Sequence, residues 1–323
     1  MRTGGASPNA IPAPLWCADH PNGGIYGTRT EACEGYTGDL TTTRIINGVS
    51  TLTGEVFMDI FSYAYTSETL GTWAHQMQVS SYSGWGDALK ASVQGSASAS
   101  GACTIRGSTT FPPQPVLPFG TVRSGDGFFD TTATAQGAVG HCTTGWTLTF
   151  TNPGFSTGSF PPRYMSDVRC DNATGGNPSV GCVMPWYASA ILYSQSSYPA
   201  LASHVARAQA SGLPGATFTA PLIKDSTLQA SNRQRACGDA PSIPGLSCDE
   251  YPIASSRNGL NAGGTRRTFD GCNFNLPRAT GPTGVSVCMI AAGEQNAQGG
   301  LNSQLFRHDR VLEGDPIRIL VVA

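Results

Sequence analysis

The chain has 323 residues, a net charge of −2, 12% charged and 39% hydrophobic side chains, 40 glycines and 22 prolines. That apolar content excludes wholesale disorder, and the shortage of charged heptads excludes a long coiled coil. No apolar run approaches the length of about 18 residues that a membrane-spanning helix needs, and the chain length suits two domains.

Charge is unevenly divided. Residues 1–185 carry 8 Lys+Arg against 12 Asp+Glu, and residues 186–323 carry 11 against 9. The second half is therefore mildly basic, almost wholly through arginine, which suits a phosphate-bearing partner without requiring one.

The ten cysteines are Cys17, Cys33, Cys103, Cys142, Cys170, Cys182, Cys237, Cys248, Cys272 and Cys288. No CxxC occurs, which argues against a structural zinc site, and the even count fits a disulfide set formed in an oxidising compartment. Sequence leaves the connectivity open; pairing of nearest neighbours is the simplest choice. Met1–Gly5 has no apolar signal-peptide core, so the expectation is an extracellular, secreted protein whose leader is absent from this chain or that uses a leaderless route.

In chain order, residues 1–50 show little periodicity. Strands are expected at Val56–Phe61, at Gln76–Ser80 and at Trp146–Thr151, where apolar and polar residues alternate and Asn152-Pro153-Gly154 stops the run. Residues 1–185 are thus expected to form an all-β domain, an antiparallel sandwich or barrel-like sheet. The polar stretch Asn172–Pro178 is a candidate linker. Beyond it a helix is expected from Ser197-Tyr198-Pro199, with Leu201, Val205 and Ala208 on one face and Gly212 as its stop. Strands are expected at Val285–Ile290 and Ile317–Val322, with a short helix over Ala297–Phe306 between them. Residues 186–323 therefore read as a small α+β domain.

Four groups carry candidate chemistry. Asp249 and Glu250 precede Tyr251-Pro252, a context that favours extended or turn backbone, in which adjacent side chains point to opposite faces. One carboxylate then faces a site while a structural partner holds the other; a solvated acidic turn is the plainer alternative. Gly293–Gly300 follows an apolar strand, so a loop carrying Glu294 and opening a helix is expected. Its oxygen suits a hard cation, and free N–H groups suit a phosphate; an N-cap and turn without ligand is the alternative. His204 lies near the edge of the apolar stripe of its helix, placed either to take a proton or to pack, with Arg207 one turn on. Arg233 and Arg235 in Asn232-Arg233-Gln234-Arg235 suit a phosphate clamp or a solvated face. No GxGxxG-on-strand or P-loop supports a nucleotide cofactor, and no GxSxG elbow supports an α/β-hydrolase.

Taken in order, YPALASHVARAQASG (198–212), NRQRAC (232–237), CDEYPIA (248–254), VSVCMIAAGEQNAQGG (285–300) and a terminal apolar strand resemble the NucA/NucB family of secreted bacterial deoxyribonucleases. The resemblance covers roughly residues 190–323 and implies a disulfide-stabilised nuclease domain at 186–323, preceded by a β-rich accessory region. It implies hydrolysis of DNA phosphodiesters, largely independent of sequence, with Mg²⁺ or Mn²⁺. Asp249 and Glu250 match the family's Asp-Glu-aromatic-Pro signature, His204 its helix histidine, Glu294 its acid after the strand, and Arg233 lies near a family arginine. Asp249, Glu250 and Glu294 are thereby implied as metal ligands and, with His204, as catalytic residues. Arg233, Arg235, Asn296 and Gln298 are implied as phosphate contacts. Glu294-Gln295-Asn296-Ala297 stands where relatives often read Asp-Asn-Arg-Gly, and the longer Glu side chain shifts the carboxylate outward.

DNA is the expected partner, with no membrane and no nucleotide cofactor. Two rivals are an exported toxin with an immunity or inhibitor protein, and a non-enzymatic extracellular binding protein whose Trp73 and Trp85 stack on sugar rings.

Overall fold

A computed structural model of the chain describes residues 11–20, 23–107, 109 and 111–323; Met1–Gly5 lies outside them. The chain divides into two compact units, Met1–Ala173 with Asn177–Met184, and Thr174–Gly176 with Pro185–Ala323.

The first unit is built of antiparallel strands: Tyr26–Gly27 (β1), Glu31–Ile46 (β2), Val49–Tyr65 (β3), Thr72–Gly86 (β4), Ser92–Gly101 (β5), Cys103–Ile105 (β6), Gln114–Pro115 (β7), Val122–Thr131 (β8), Val139–Thr151 (β9), Gly158–Tyr164 (β10), Val168–Asp171 (β11) and Gly181–Val183 (β12). One sheet runs β1-β2-β3-β4-β8-β6; the other runs β12-β11-β9-β5-β7, with β10 on β9. Asn47 and Gly48 both take positive φ (51° and 79°), which gives the tight β2–β3 turn the twist of its flanking strands. Alternation then aims Val56, Met58, Ile60, Met77 and Val79 of the first sheet at Val93, Trp146, Leu148 and Phe150 of the second. This shared core makes the unit a sandwich. The expected strands fall within β3, β4 and β9.

Two expectations need correction here. Asn172–Pro178 is not the final linker between units: Thr174–Gly176 groups with the second unit, but the chain returns to pair β12 with β11 and passes over for good only after Met184. Trp73 is buried and stacked on Phe129, so it cannot join Trp85, which is 46% exposed, in a sugar-stacking surface.

All ten cysteines are bridged to their nearest neighbours: 17–33, 103–142, 170–182, 237–248 and 272–288. Among the described residues no helix is long and apolar enough to cross a membrane.

The second unit mixes helices and strands: Ser189–Ser194 (β13), Pro199–Ala210 (α1), Leu222–Ile223 (β14), Gln229–Cys237 (α2), Leu246–Tyr251 (β15), Thr265–Arg267 (β16), Gly284–Ala291 (β17), Ala292–His308 (α3) and Pro316–Val322 (β18). One sheet has the order β13-β18-β14 and the other β15-β17-β16. Helix α1 begins with Pro199 and buries Leu201, Val205 and Ala208, as its period requires. Helix α3 starts directly after β17, so the expected acidic loop at Gly293–Gly300 is instead helical. Leu301, Leu305 and Phe306 of α3 pack on the core and hold the helix despite its glycines.

Alternate residues of β15 and β17 feed two cores. Tyr251, Cys288 and Ile290 join the core that buries α1, whereas Cys248, Val287 and Met289 join the one that takes Ala236 from α2.

Candidate active site

Asp249 and Glu250 are neighbours on β15 and therefore project to opposite faces of its sheet. Each meets a charged or titratable residue from a different helix.

On the α1 face, His204 sits one turn beyond Leu201. Its Nδ1 lies 2.6 Å from Asp249 Oδ2 and its Nε2 lies 2.8 Å from Ser286 Oγ. His204, Asp249 and Ser286 are all essentially without solvent exposure. With Nδ1 donating to the carboxylate, Nε2 is left to accept the serine hydroxyl proton. The Asp–His–Ser order is that of a nucleophile triad, but Ser286 lies inside the middle strand of the sheet, out of reach of any substrate. The set fixes α1 to β15 and β17.

Around it lies more buried polar chemistry. Asp249 Oδ1 is buried without a hydrogen-bond partner. Tyr193 donates its hydroxyl proton to Asn302 Oδ1 at 2.8 Å, and burial, with the Asp249 charge adding to it, holds that phenol well above its ordinary pKa. Glu294, in the first turn of α3, accepts the Leu201 backbone N–H at 2.8 Å. It thus satisfies one of the open donors at the start of α1.

On the α2 face, Arg233 Nη1 donates to both Glu250 oxygens at 3.1 and 3.4 Å, and its Nη2 donates to the Cys248 carbonyl at 3.2 Å. The Glu250 side chain is 4% exposed and that of Arg233 is 40% exposed. Burial pushes Glu250 up to about 7; Arg233 opposes that rise and Asp249 adds to it. Asn232, next to Arg233, donates to the Ala254 and Ser256 carbonyls at 2.8 and 3.0 Å and accepts from Asn261 N–H at 2.9 Å. Those bonds tie α2 to the segment after β15 and so aim Arg233. Arg235 donates to Asn261 Oδ1 at 3.2 Å and is exposed. A cleft of about 520 Å³ opens beside Arg233, lined also by Gln234, Ser247 and the Cys237–Cys248 bridge.

The structure thus brings His204 to Asp249 and Arg233 to Glu250. It does not bring the implied metal ligands Asp249, Glu250 and Glu294 to one point, because the strand divides the first two and Glu294 is engaged at the start of α1. Among the described residues the single group of three potential ligands within 4.8 Å of one another is Cys237, Cys248 and Glu250, with both sulfurs in a disulfide. The donor set therefore does not fit a three-carboxylate Mg²⁺ or Mn²⁺ site. Nor do Asn296 and Gln298 join Arg233 and Arg235 in a phosphate site. Asn296 is exposed and Gln298 buried on α3, which packs on the α1-side core, whereas the arginines belong to α2.

Ser286 and Tyr193 were not singled out from sequence; a lone hydroxyl in the apolar run Val285–Ile290 was the available signal for Ser286. The Cys237–Cys248 bridge is the nearest-neighbour pairing expected from sequence, whereas its closeness to Glu250 was not legible there. Compared with known proteins, the chain matches no family model and no curated protein.

Proposed function

We propose that the second unit hydrolyses DNA phosphodiester bonds as an extracellular endodeoxyribonuclease, with the reaction centred on Arg233 and Glu250 at the α2 cleft. The observation that carries this is the Arg233–Glu250 pair: a buried carboxylate with a pKa near 7 bonded to a cation whose side chain is 40% exposed at the cleft. A carboxylate near neutrality is matched to accept and return a proton at physiological pH. A guanidinium is matched to a phosphodiester oxygen pair.

An arriving phosphodiester draws Arg233 toward itself and uncovers Glu250. Glu250 takes a proton from water as the water oxygen attacks phosphorus. The bond from phosphorus to the leaving sugar oxygen then breaks, and that oxygen takes a proton from solvent. Arg233 meets the negative charge that builds on the non-bridging oxygens. Arg235 and Gln234, exposed on the same helix, contact neighbouring phosphates. Backbone contacts of this kind make cleavage largely independent of sequence and sensitive to salt. Asp249 and His204 act from behind, as positioning residues that hold β15 in place. No step is drawn through Mg²⁺ or Mn²⁺. The five bridges accord with an oxidising compartment, and the extracellular assignment rests on them.

The test is plasmid nicking by the full chain. Glu250→Gln and Arg233→Ala should each lose about 10²-fold or more in rate. Near-normal cutting by both discards the site. A parallel arm with EDTA separates cation need from the roles of these two residues.

A further inference from the structure

Nine of the ten cysteines are buried, and Cys237 alone is half-buried, at the wall of the α2 cleft. Its bridge to Cys248 is therefore the one most open to a small dithiol. Cys237 Sγ lies 3.3 Å from Glu250 Oε2, and the two sulfurs and the carboxylate fall within 4.8 Å of one another. Cys237 is also the last residue of α2, where the negative end of the helix dipole favours a cation.

We infer that the Cys237–Cys248 bridge is a reducible mask over a soft-metal site, in which the two freed thiolates and the Glu250 carboxylate bind Zn²⁺, with a cleft water as the fourth ligand. This inference is independent of the nuclease proposal.

The chemistry balances with a dithiol as reductant. One of its thiolates attacks Cys237 Sγ, which belongs to the more exposed residue of the two, and Cys248 leaves as a thiolate. The second dithiol sulfur then attacks the mixed disulfide and releases Cys237. The dithiol departs as its own cyclic disulfide, having given two electrons to the protein bridge. The Arg233 guanidinium beside the site favours the thiolate forms. Zn²⁺ then takes the place of the two thiol protons, in a set of two sulfurs, one carboxylate oxygen and one water that suits its tetrahedral preference. While the bridge stands the sulfurs are not ligands, so metal binding is conditional on reduction.

The experiment uses the full chain without denaturant. One portion is treated with dithiothreitol for increasing times, alkylated and mapped by mass spectrometry. A second portion is reduced, freed of reductant under anaerobic conditions and titrated with Co²⁺ as a spectroscopic probe. The expected result is alkylation at Cys237 and Cys248 before the other eight cysteines. One Co²⁺ per chain should then bind with tetrahedral d–d bands and a thiolate charge-transfer band, both absent from the oxidised protein and both lost on adding Zn²⁺. Glu250→Gln should weaken Co²⁺ binding at least about tenfold, and the paired Cys237→Ser, Cys248→Ser change should abolish the charge-transfer band. Another bridge opening first, or reduced wild-type protein binding Co²⁺ no more tightly than the oxidised form, overturns the inference whether or not the variants fold.

Discussion

Asp249 and Glu250 are chemically alike and adjacent, yet their environments assign them different work. Asp249 is enclosed and fixed to His204, so its loss leaves an imidazole buried without its partner. Asp249→Ala should cost about 1.5–3 kcal/mol, the range for a hydrogen bond to a charged group, against about 0.5–1.5 kcal/mol for Ser286→Ala, which removes one neutral hydrogen bond. Urea unfolding followed by fluorescence measures both, and equal costs would refute the ranking. Glu250 must be ionised to accept a proton, and its pKa is raised to about 7. The value of kcat/KM, which reports the free enzyme with Arg233 still on Glu250, should accordingly climb as pH rises through about 7 and level off above it, whereas a carboxylate with its ordinary value would give a flat profile from pH 6 to 8. A flat profile would remove Glu250 from the proton-accepting role.

At the scale of elements, Glu294 links two helices. Its carboxylate accepts the Leu201 N–H of α1 while sitting in the first turn of α3, where the helix dipole favours negative charge. Glu294→Ala should destabilise the second unit by about 1–2 kcal/mol, read as a lowered midpoint in a circular-dichroism melt, with no new loop in α3. The same helix shows how far sequence carries. Alternation at Trp146, Leu148 and Phe150 marks a strand because every second residue meets the opposite sheet. Pro199 and Gly212 mark α1 because one presets the first turn and the other ends it. The body of helix α3 was expected as a short helix over Ala297–Phe306, but its start at Ala292 was hidden, because Gly293 lowers the intrinsic propensity of that first turn. Helix α2 was hidden because it buries only Asn232 and Ala236, too few for an apolar period. The opposed directions of Asp249 and Glu250 were legible from strand geometry. Their partners were not, since His204 lies 45 residues and Arg233 17 residues away along the chain. The expected meeting of three carboxylates failed for the same reason that those directions were legible: adjacent strand residues cannot face one ion.

At the scale of the whole molecule, each unit has its own core, and no disulfide joins one unit to the other. Each also buries a titratable group whose charged form is disfavoured, and the two have opposite consequences. In the sandwich, His75 has only neutral partners, with Nε2 2.8 Å from Ser62 Oγ and Nδ1 2.8 Å from Thr144 Oγ1, and burial lowers it to about 3. Between that value and the ordinary 6.5, the unfolded chain binds a proton at His75 that the folded chain refuses, so this contribution to stability falls on acidification. Glu250 runs the other way. Between its ordinary 4.5 and about 7 the folded chain holds a proton that the unfolded chain has released, so this contribution falls as pH rises. Each slope is at most about 1.4 kcal/mol per pH unit. Over pH 4.5–6.5 a calorimetric scan should therefore resolve two transitions with opposing trends, the first unit gaining stability with pH and the second losing it. Other carboxylates titrate in the same window, so the decisive reading is the difference from a variant. His75→Asn should flatten the trend of one transition alone, and Glu250→Gln that of the other. Variants that leave both trends intact would show that these buried groups do not govern the acid response of their units.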